Sequence, residues 1–341
     1  MRALLLNKIG IIDELKNNLI IENIPEPKTD DDDVLVKIKC SALNHRDLWI
    51  AKGMYAGIKT PIVLGSDCSG IIEEVGINVS DFSKGNEVII NPSLDWGDNE
   101  SFQSKNYKIL GLPDNGTLQE YISVNKSKVY LKPHHLDFKQ ASAIPLAGLT
   151  AYRALFIKGN LHKGENVLIT GIGGGVSTFA LLFAVNTGAN VFVTSSDKNK
   201  IGKALGLGAK AGVNYKDENW SKELTSLSGN KINLIIDGAG GESIAKCLDV
   251  ISPGGRIVNY GATLGAVNKF EMRKLFWKQV SLLGTTMGSD NDFKNMVKFI
   301  EKHKIIPIVD KVFEMNEITE AFMRMENGNQ MGKIVIRMDK L

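Results

Sequence analysis

Apolar positions follow two different rhythms along the chain. Through the first 125 residues or so, short apolar runs are cut by turn residues: VLVKIK at 34–39, GIIEEVG at 70–76 and NEVIINP at 86–92. This is the pattern of strands. In VLVKIK, Val34, Val36 and Ile38 alternate with Leu35, Lys37 and Lys39, as a half-buried strand requires. From about 130 to 288, helical segments alternate with the short apolar runs NVLIT (166–170), NVFVTSS (190–196), AGVNY (211–215), NLIID (233–237), RIVNYG (256–261) and SLLGTT (281–286). Strand alternating with helix predicts a parallel sheet covered on both faces, and six strands complete a doubly wound dinucleotide-binding sheet. Beyond 288, Phe293, Met296, Val297 and Ile300 recur at helical spacing, a second helix is predicted around Ile318 to Met325, and GKIVIRM closes as a strand. This tail is short for a core of its own, so it is expected to fold back on the N-terminal part. The expected class is α/β. A doubly wound parallel sheet occupies 129–288, and a discontinuous β-rich domain is built from 1–128 and 289–341.

Composition agrees with two soluble domains. The chain has 341 residues, beyond the ~250–300 at which one core stops growing. Hydrophobic residues are 43%, charged residues 23%, and the net charge is +3. That near-balance gives no electrostatic reason to expect nucleic acid or an anionic membrane as partner. Cys40, Cys68 and Cys247 are too scattered for a disulfide framework or a zinc ribbon. The apolar run Ala3 to Leu6 is too short for a signal-peptide core, and the reducing cytoplasm is the expected compartment. The uncharged stretch 166–196 carries Gly171, Gly173, Gly174, Gly175 and Gly188. It reads as strand, turn, helix and strand, not as a membrane span.

That stretch holds the sharpest motif, ITGIGGGVSTFALLFAVNTGA at 169–189. Glycines let backbone approach a pyrophosphate, and a helix N-terminus offers unpaired N–H groups to its charge. Gly173, Gly174 and Gly175 are therefore candidate phosphate contacts. Val176 takes the slot where the motif's last glycine usually sits, so the helix is expected slightly further from the strand. An NAD-preferring site places an acid at the end of the second strand. Here that end reads Val193-Thr194-Ser195-Ser196, and the acid's slot holds Ser195. With Ser196, Lys200 and Tyr215 nearby in sequence, NADPH is expected over NADH. Asp197, an acid displaced by two residues, is the competing reading.

The chain resembles the medium-chain dehydrogenase/reductase superfamily over nearly its whole length. The resemblance rests on VLVKIKCSALNHRDLW (34–49), TPIVLGSDCSGIIEEVG (60–76), GTLQEY (116–121), IPLAGLTAYRAL (144–155), the glycine turn and QMGKIVI (330–336). It implies a GroES-like catalytic domain around the cofactor domain, a cleft between them, and homodimers or homotetramers, with SLLGTT as a candidate inter-subunit sheet edge. Zinc-dependent members place metal ligands in the slots held here by Asn44, Ser66 and Leu146, and four zinc cysteines in a lobe matching 91–112, which has none. Asn and Ser are poor zinc ligands and Leu is none. His45 and Asp67 remain beside that site, and no zinc is expected. The remaining pattern resembles the zinc-independent branch, which includes quinone oxidoreductases and enone or enoyl reductases. The NHRD stretch and the GIGGGV turn also resemble bacterial proteins labelled alcohol dehydrogenase-like.

By that resemblance, Asn44, Asp47, Trp49 and Tyr55 line the substrate site. Asn44 is the candidate donor to a substrate oxygen and Tyr55 the candidate proton source, while Asp47 and Trp49 also read as a loop tie and a core residue. Thr150, Gly261-Ala262-Thr263 and Thr285-Thr286-Met287 match groups that hold the nicotinamide amide. Without a Lewis acid, the small-molecule substrate must itself be a good hydride acceptor: a quinone or a C=C bond conjugated to a carbonyl. Two alternatives stand beside this reading. One is an NAD(P)-dependent alcohol or aldehyde dehydrogenase with unusual metal ligands; the other is a dinucleotide-binding regulator without turnover. His134, His135, His162 and His303 are expected at the surface, and Cys40 and Cys68 as buried inert thiols.

Overall fold

The computed structural model describes residues 1–338; the last three residues of the expected 289–341 segment lie outside the described residues. The chain forms two compact units, Met1–Ala147 with Gly288–Leu341, and Gly148–Met287. The first junction falls at 147, beyond the boundary placed at 128 from sequence. The reason is pairing. Val129–Leu131 adds antiparallel to Glu87–Ile90, and the Ser69 hydroxyl donates to the Phe138 carbonyl at 2.6 Å, so 129–147 belongs with the β-rich unit.

In the first unit the long strand Asp33–Ala42 is the axis of a seven-stranded sheet. It pairs antiparallel with Asp67–Val75, with Tyr121–Asn125 and, at its C-terminal end, with Lys333–Arg337. The tail therefore does return to the N-terminal part. Register decides which residues meet. Ala42 lies opposite both Asp67 and Val335. Continuing that antiparallel register by two residues brings Lys333 opposite Asn44, and the Leu43 N–H donates to the Ile334 carbonyl at 2.9 Å. Gly332, at φ +101°, makes the turn into this strand, where a Cβ would lie 2.1 Å from the Ile308 carbonyl oxygen.

The second unit is a six-stranded parallel sheet: β1 (Asn166–Ile169), β2 (Asn190–Ser195), β3 (Ala211–Asn214), β4 (Leu234–Asp237), β5 (Arg256–Asn259) and β6 (Ser281–Gly284). Their spatial order is β3-β2-β1-β4-β5-β6, the doubly wound order of dinucleotide-binding sheets. Helix α1 (Gly175–Thr187) follows β1 directly, α2 (Lys198–Gly206) follows β2, and α3 (Gly241–Val250) follows β4. β1 and β4 are buried along nearly their whole length, which is why they read as apolar runs without alternation. Among the described residues, no helix is long and apolar enough to cross a membrane.

Candidate active site

Asn44 is the N-cap of the short helix His45–Ala51. Asn44 and Asp47 form a capping box across the first turn of that helix. Asn44 Oδ1 accepts from Lys333 Nζ at 2.5 Å, and Asn44 Nδ2 donates to Asp67 Oδ2 at 3.0 Å. Lys333 Nζ also donates to Asp67 Oδ2 at 2.8 Å, and the Leu146 N–H donates to Asp67 Oδ1 at 2.7 Å. The Lys333 side chain is 3% exposed and that of Asp67 0%, so a buried ion pair sits beneath Asn44. Two of the three slots that hold metal ligands in zinc-dependent members, Asn44 and Leu146, thus converge on Asp67.

Ser66, in the third slot, donates to the Leu110 carbonyl at 2.7 Å and accepts from Arg46 Nη1 at 3.2 Å. The Arg46 fork also donates to the carbonyls of Ile109, Leu110 and Leu112, each at 3.1 Å. In the 91–112 segment, where zinc-dependent members hold cysteines, Trp96 is 2% exposed and meets Tyr107 edge-on at 5.3 Å. Among the described residues, no group of three or more His, Cys, Asp and Glu side chains is placed to hold a metal ion.

Asp47 is fully buried. Oδ2 accepts from the Asn44 N–H at 2.7 Å and Oδ1 from the Gly65 N–H at 3.2 Å. Burial pushes its carboxyl above the usual range. With both oxygens engaged by backbone, Asp47 positions Asn44. The Tyr55 ring lies under the Arg46 guanidinium, 5.2 Å from ring centre to Cζ. Trp49 and Tyr55 are partly buried against the core of this unit. His45 is exposed. His134 and His162 are exposed as expected, but His135 and His303 are half-buried: a His135 ring nitrogen lies 3.0 Å from the Ile305 carbonyl oxygen and His303 stacks on Phe299. Cys40, Cys68 and Cys247 are buried, and burial raises the Cys68 and Cys247 thiols.

In the second unit the glycine turn lies between β1 and α1. Gly171 and Gly173 have φ of +61° and +146°, conformations that side chains disfavour. A Cβ at Gly171 would meet nothing within 4 Å, and one at Gly174 only Ser177 Oγ at 3.7 Å. Gly174 is the N-cap of α1 with no side-chain cap, so the first amides of this 13-residue helix, from Gly175 and Val176 on, are not capped by a side chain at that position. A helix start of this kind can receive an anion. Ser195 is buried at the end of β2, and its Oγ accepts from the Asp197 N–H at 3.1 Å. Ser196 is exposed, Lys200 half-buried and Tyr215 42% exposed. Asp197, the competing acid, caps α2, its Oδ1 accepting from the Asn199 N–H at 2.7 Å.

The groups expected to hold a nicotinamide amide cluster at the ends of β5 and β6. The Gly261 carbonyl accepts from Asn259 Nδ2 at 2.8 Å, and Ala262 and Thr263 follow it. Thr285 Oγ1 is buried with no hydrogen-bond partner among the described residues. Met287, at φ +38° and 3% exposed, meets Thr150 Oγ1 through its sulfur at 3.8 Å. The glycine turn at the helix start and the Thr285 hydroxyl fit a nicotinamide dinucleotide. Sequence reasoning missed two buried charges: Lys333, and Asp237 at the end of β4, which accepts from Thr170 Oγ1 and Ser243 Oγ, each at 2.7 Å.

The comparisons with known proteins agree with this architecture. The alcohol dehydrogenase GroES-like domain family matches residues 30–134 and the zinc-binding dehydrogenase family residues 175–302. Zinc-type alcohol dehydrogenase-like protein YogA of Leptosphaeria maculans is 38% identical, over 94% of this chain and 94% of its own. Acryloyl-coenzyme A reductase of Sulfurisphaera tokodaii is 27% identical, over 94% of this chain and 97% of its own. The crystal structure of an NAD-dependent alcohol dehydrogenase superposes with a TM-score of 0.93 at 33% identity, covering 99% of each chain. The chain belongs to the medium-chain dehydrogenase/reductase superfamily. It is an oxidoreductase of that superfamily that works with a nicotinamide cofactor.

Proposed function

We propose that the protein is an NADPH-dependent, zinc-independent reductase acting on a quinone or an α,β-unsaturated carbonyl compound. The observation that carries this reading is the Lys333–Asp67 pair beneath Asn44. A divalent cation brought to the Asn44, Ser66 and Leu146 positions would meet an ammonium already bound to Asp67, and would find no thiolate or imidazole among those three side chains. What the site offers a substrate oxygen is hydrogen bonding.

A nicotinamide dinucleotide held at the glycine turn and at the ends of β5 and β6 would supply hydride to the acceptor's electron-poor carbon. Negative charge then gathers on the conjugated oxygen, and Asn44 Nδ2 donates a hydrogen bond to it, stabilising the charge where it develops. Asp47 holds the Asn44 backbone in place. A proton from solvent or from the Tyr55 hydroxyl completes the addition at the neighbouring carbon, or at oxygen for a quinone. The acceptor class agrees with the acryloyl-coenzyme A reductase among the relatives.

Two observations support NADPH. The acid's slot at the end of β2 holds Ser195, and the Asp197 carboxylate is committed to capping α2. Self-association is also part of the proposal. β6 is the edge of its sheet, Leu282 on it is 44% exposed, and Trp277 just before it is 82% exposed, an apolar edge suited to a second copy.

The test is anaerobic NADPH oxidation with a panel of enones and quinones, set against simple alcohols with NADP, on protein assayed for zinc. Turnover of the enones or quinones, insensitive to chelator, is expected. Turnover of alcohols alone, with about one zinc per chain and loss on chelation, would establish the alcohol dehydrogenase reading instead.

A further inference from the structure

The side-chain amide of asparagine can turn by 180° and exchange its acceptor for its donor at little cost, unless its neighbours forbid it. Around Asn44 they do. Lys333 Nζ has only hydrogens to offer, and it lies 2.5 Å from Oδ1. The Asp67 carboxylate has only lone pairs, and Oδ2 lies 3.0 Å from Nδ2. The reversed amide would set N–H against an ammonium and C=O against a carboxylate. The two charged groups also hold each other at 2.8 Å, and the Leu146 N–H fixes the far oxygen of Asp67 at 2.7 Å. The amide orientation is therefore set by three groups from three separate stretches of chain. Nδ2 carries two hydrogens, and the one not given to Asp67 has no partner among the described residues.

We propose that Lys333 and Asp67 form a polarity lock, which makes Asn44 a one-way hydrogen-bond donor to the substrate oxygen. This rests on the reductase reading above. Lys333 is in this account a positioning residue. It acts through Asn44, and it supplies the reason why an amide in this slot presents N–H to an oxygen gaining negative charge.

The test uses the full-length enzyme and the variant Lys333→Met/Asp67→Asn, which replaces the ion pair with a neutral pair of similar bulk. Asparagine at 67 can accept or donate, so both orientations of Asn44 become allowed. In 15N-labelled protein the Asn44 side-chain amide is assigned by its absence from Asn44→Ala. Two well-separated, slowly exchanging proton signals are expected in wild type and in Lys333→Arg, whose guanidinium is also a pure donor. In the double variant each signal should broaden as the amide exchanges between its two orientations, while the two hydrogens stay distinct. Unchanged signals there would overturn the lock.

Kinetics give the second readout. On an enone or quinone, the double variant should lower kcat at least about tenfold when Asn44 is present, and less than about twofold in an Asn44→Ala background. Equal losses in both backgrounds would show that Lys333 does not act through Asn44. If wild type turns over neither class of acceptor, the reductase reading fails, and the amide signals still decide the lock.

Discussion

Two fully buried carboxylates, Asp67 in the first unit and Asp237 in the second, are satisfied by opposite means. Asp237, at the end of β4, accepts from Thr170 Oγ1 and Ser243 Oγ at 2.7 Å, the Gly240 N–H at 2.8 Å and Asn259 Nδ2 at 3.1 Å. Every one of these donors is neutral. Asp67 accepts from one backbone N–H, one amide and the Lys333 ammonium. Neutral donors can stitch chain segments together, and Asp237 joins the ends of β1, β4 and β5 to the first turn of α3 while its site keeps a net negative charge. A cation removes that charge. In the proposed reaction, Asn44 would present its N–H from a cluster with no net charge, where a developing oxyanion is not repelled. The same side chain thus serves as a structural rivet in one unit and as half of a neutralised support in the other.

This contrast can be broken in several ways. The largest effect is expected from Lys333→Met alone, which strands Asp67 as an unpaired buried charge. A loss of about 3–5 kcal/mol in urea unfolding is expected, most of it recovered when Asp67→Asn is added. A small loss with no recovery would mean that the pair does not neutralise the site. Asn44→Ala comes next. It should cut kcat about a hundredfold, close to 2.7 kcal/mol of transition-state stabilisation, with NADPH affinity by fluorescence titration unchanged.

Asp237→Asn is expected to cost about 1–3 kcal/mol in stability, because an amide cannot accept from all four donors. Should it destabilise more than Lys333→Met, the contrast is reversed.

The smallest effect concerns pH. Burial raises the Asp47 carboxyl above its ordinary value of 3.8, so the folded state holds this proton more tightly than the unfolded chain does. Relative to Asp47→Asn, the contribution of Asp47 is then greatest below about pH 4 and declines as pH rises through its raised value. Unfolding midpoints of the two proteins measured across that range check the sign; a difference that grows with pH would contradict it.

The sequence was most informative where side chains obey a period. β1 and β4 are apolar runs between turns, and two of the glycines after β1, Gly171 and Gly173, have positive φ, so the cofactor half was readable to within a residue or two at most strand ends. Asn44 was legible as a candidate because the resemblance points to that slot. Lys333 was not, because its partners come from positions 44 and 67, and only the register of Asp33–Ala42 against two neighbouring strands brings them together. One local signal existed: a lysine at the start of the unbroken apolar run KIVI must be enclosed with the strand. Asp237 carried the same signal at the other end of an apolar run. The competing acid, Asp197, was ambiguous until its capping bond was seen, since a two-residue displacement along a strand end changes what a carboxylate can reach.

The Arg46 fork has a practical meaning for redesign. Its grip on the carbonyls of Ile109, Leu110 and Leu112 anchors one end of the 91–112 loop to the helix that carries Asn44. The exposed residues 101–103 lie well away from those carbonyls in sequence. A library that lengthens the loop there, to accept bulkier substrates, keeps the chemistry's footing intact, whereas insertions at 109–112 would tear it away.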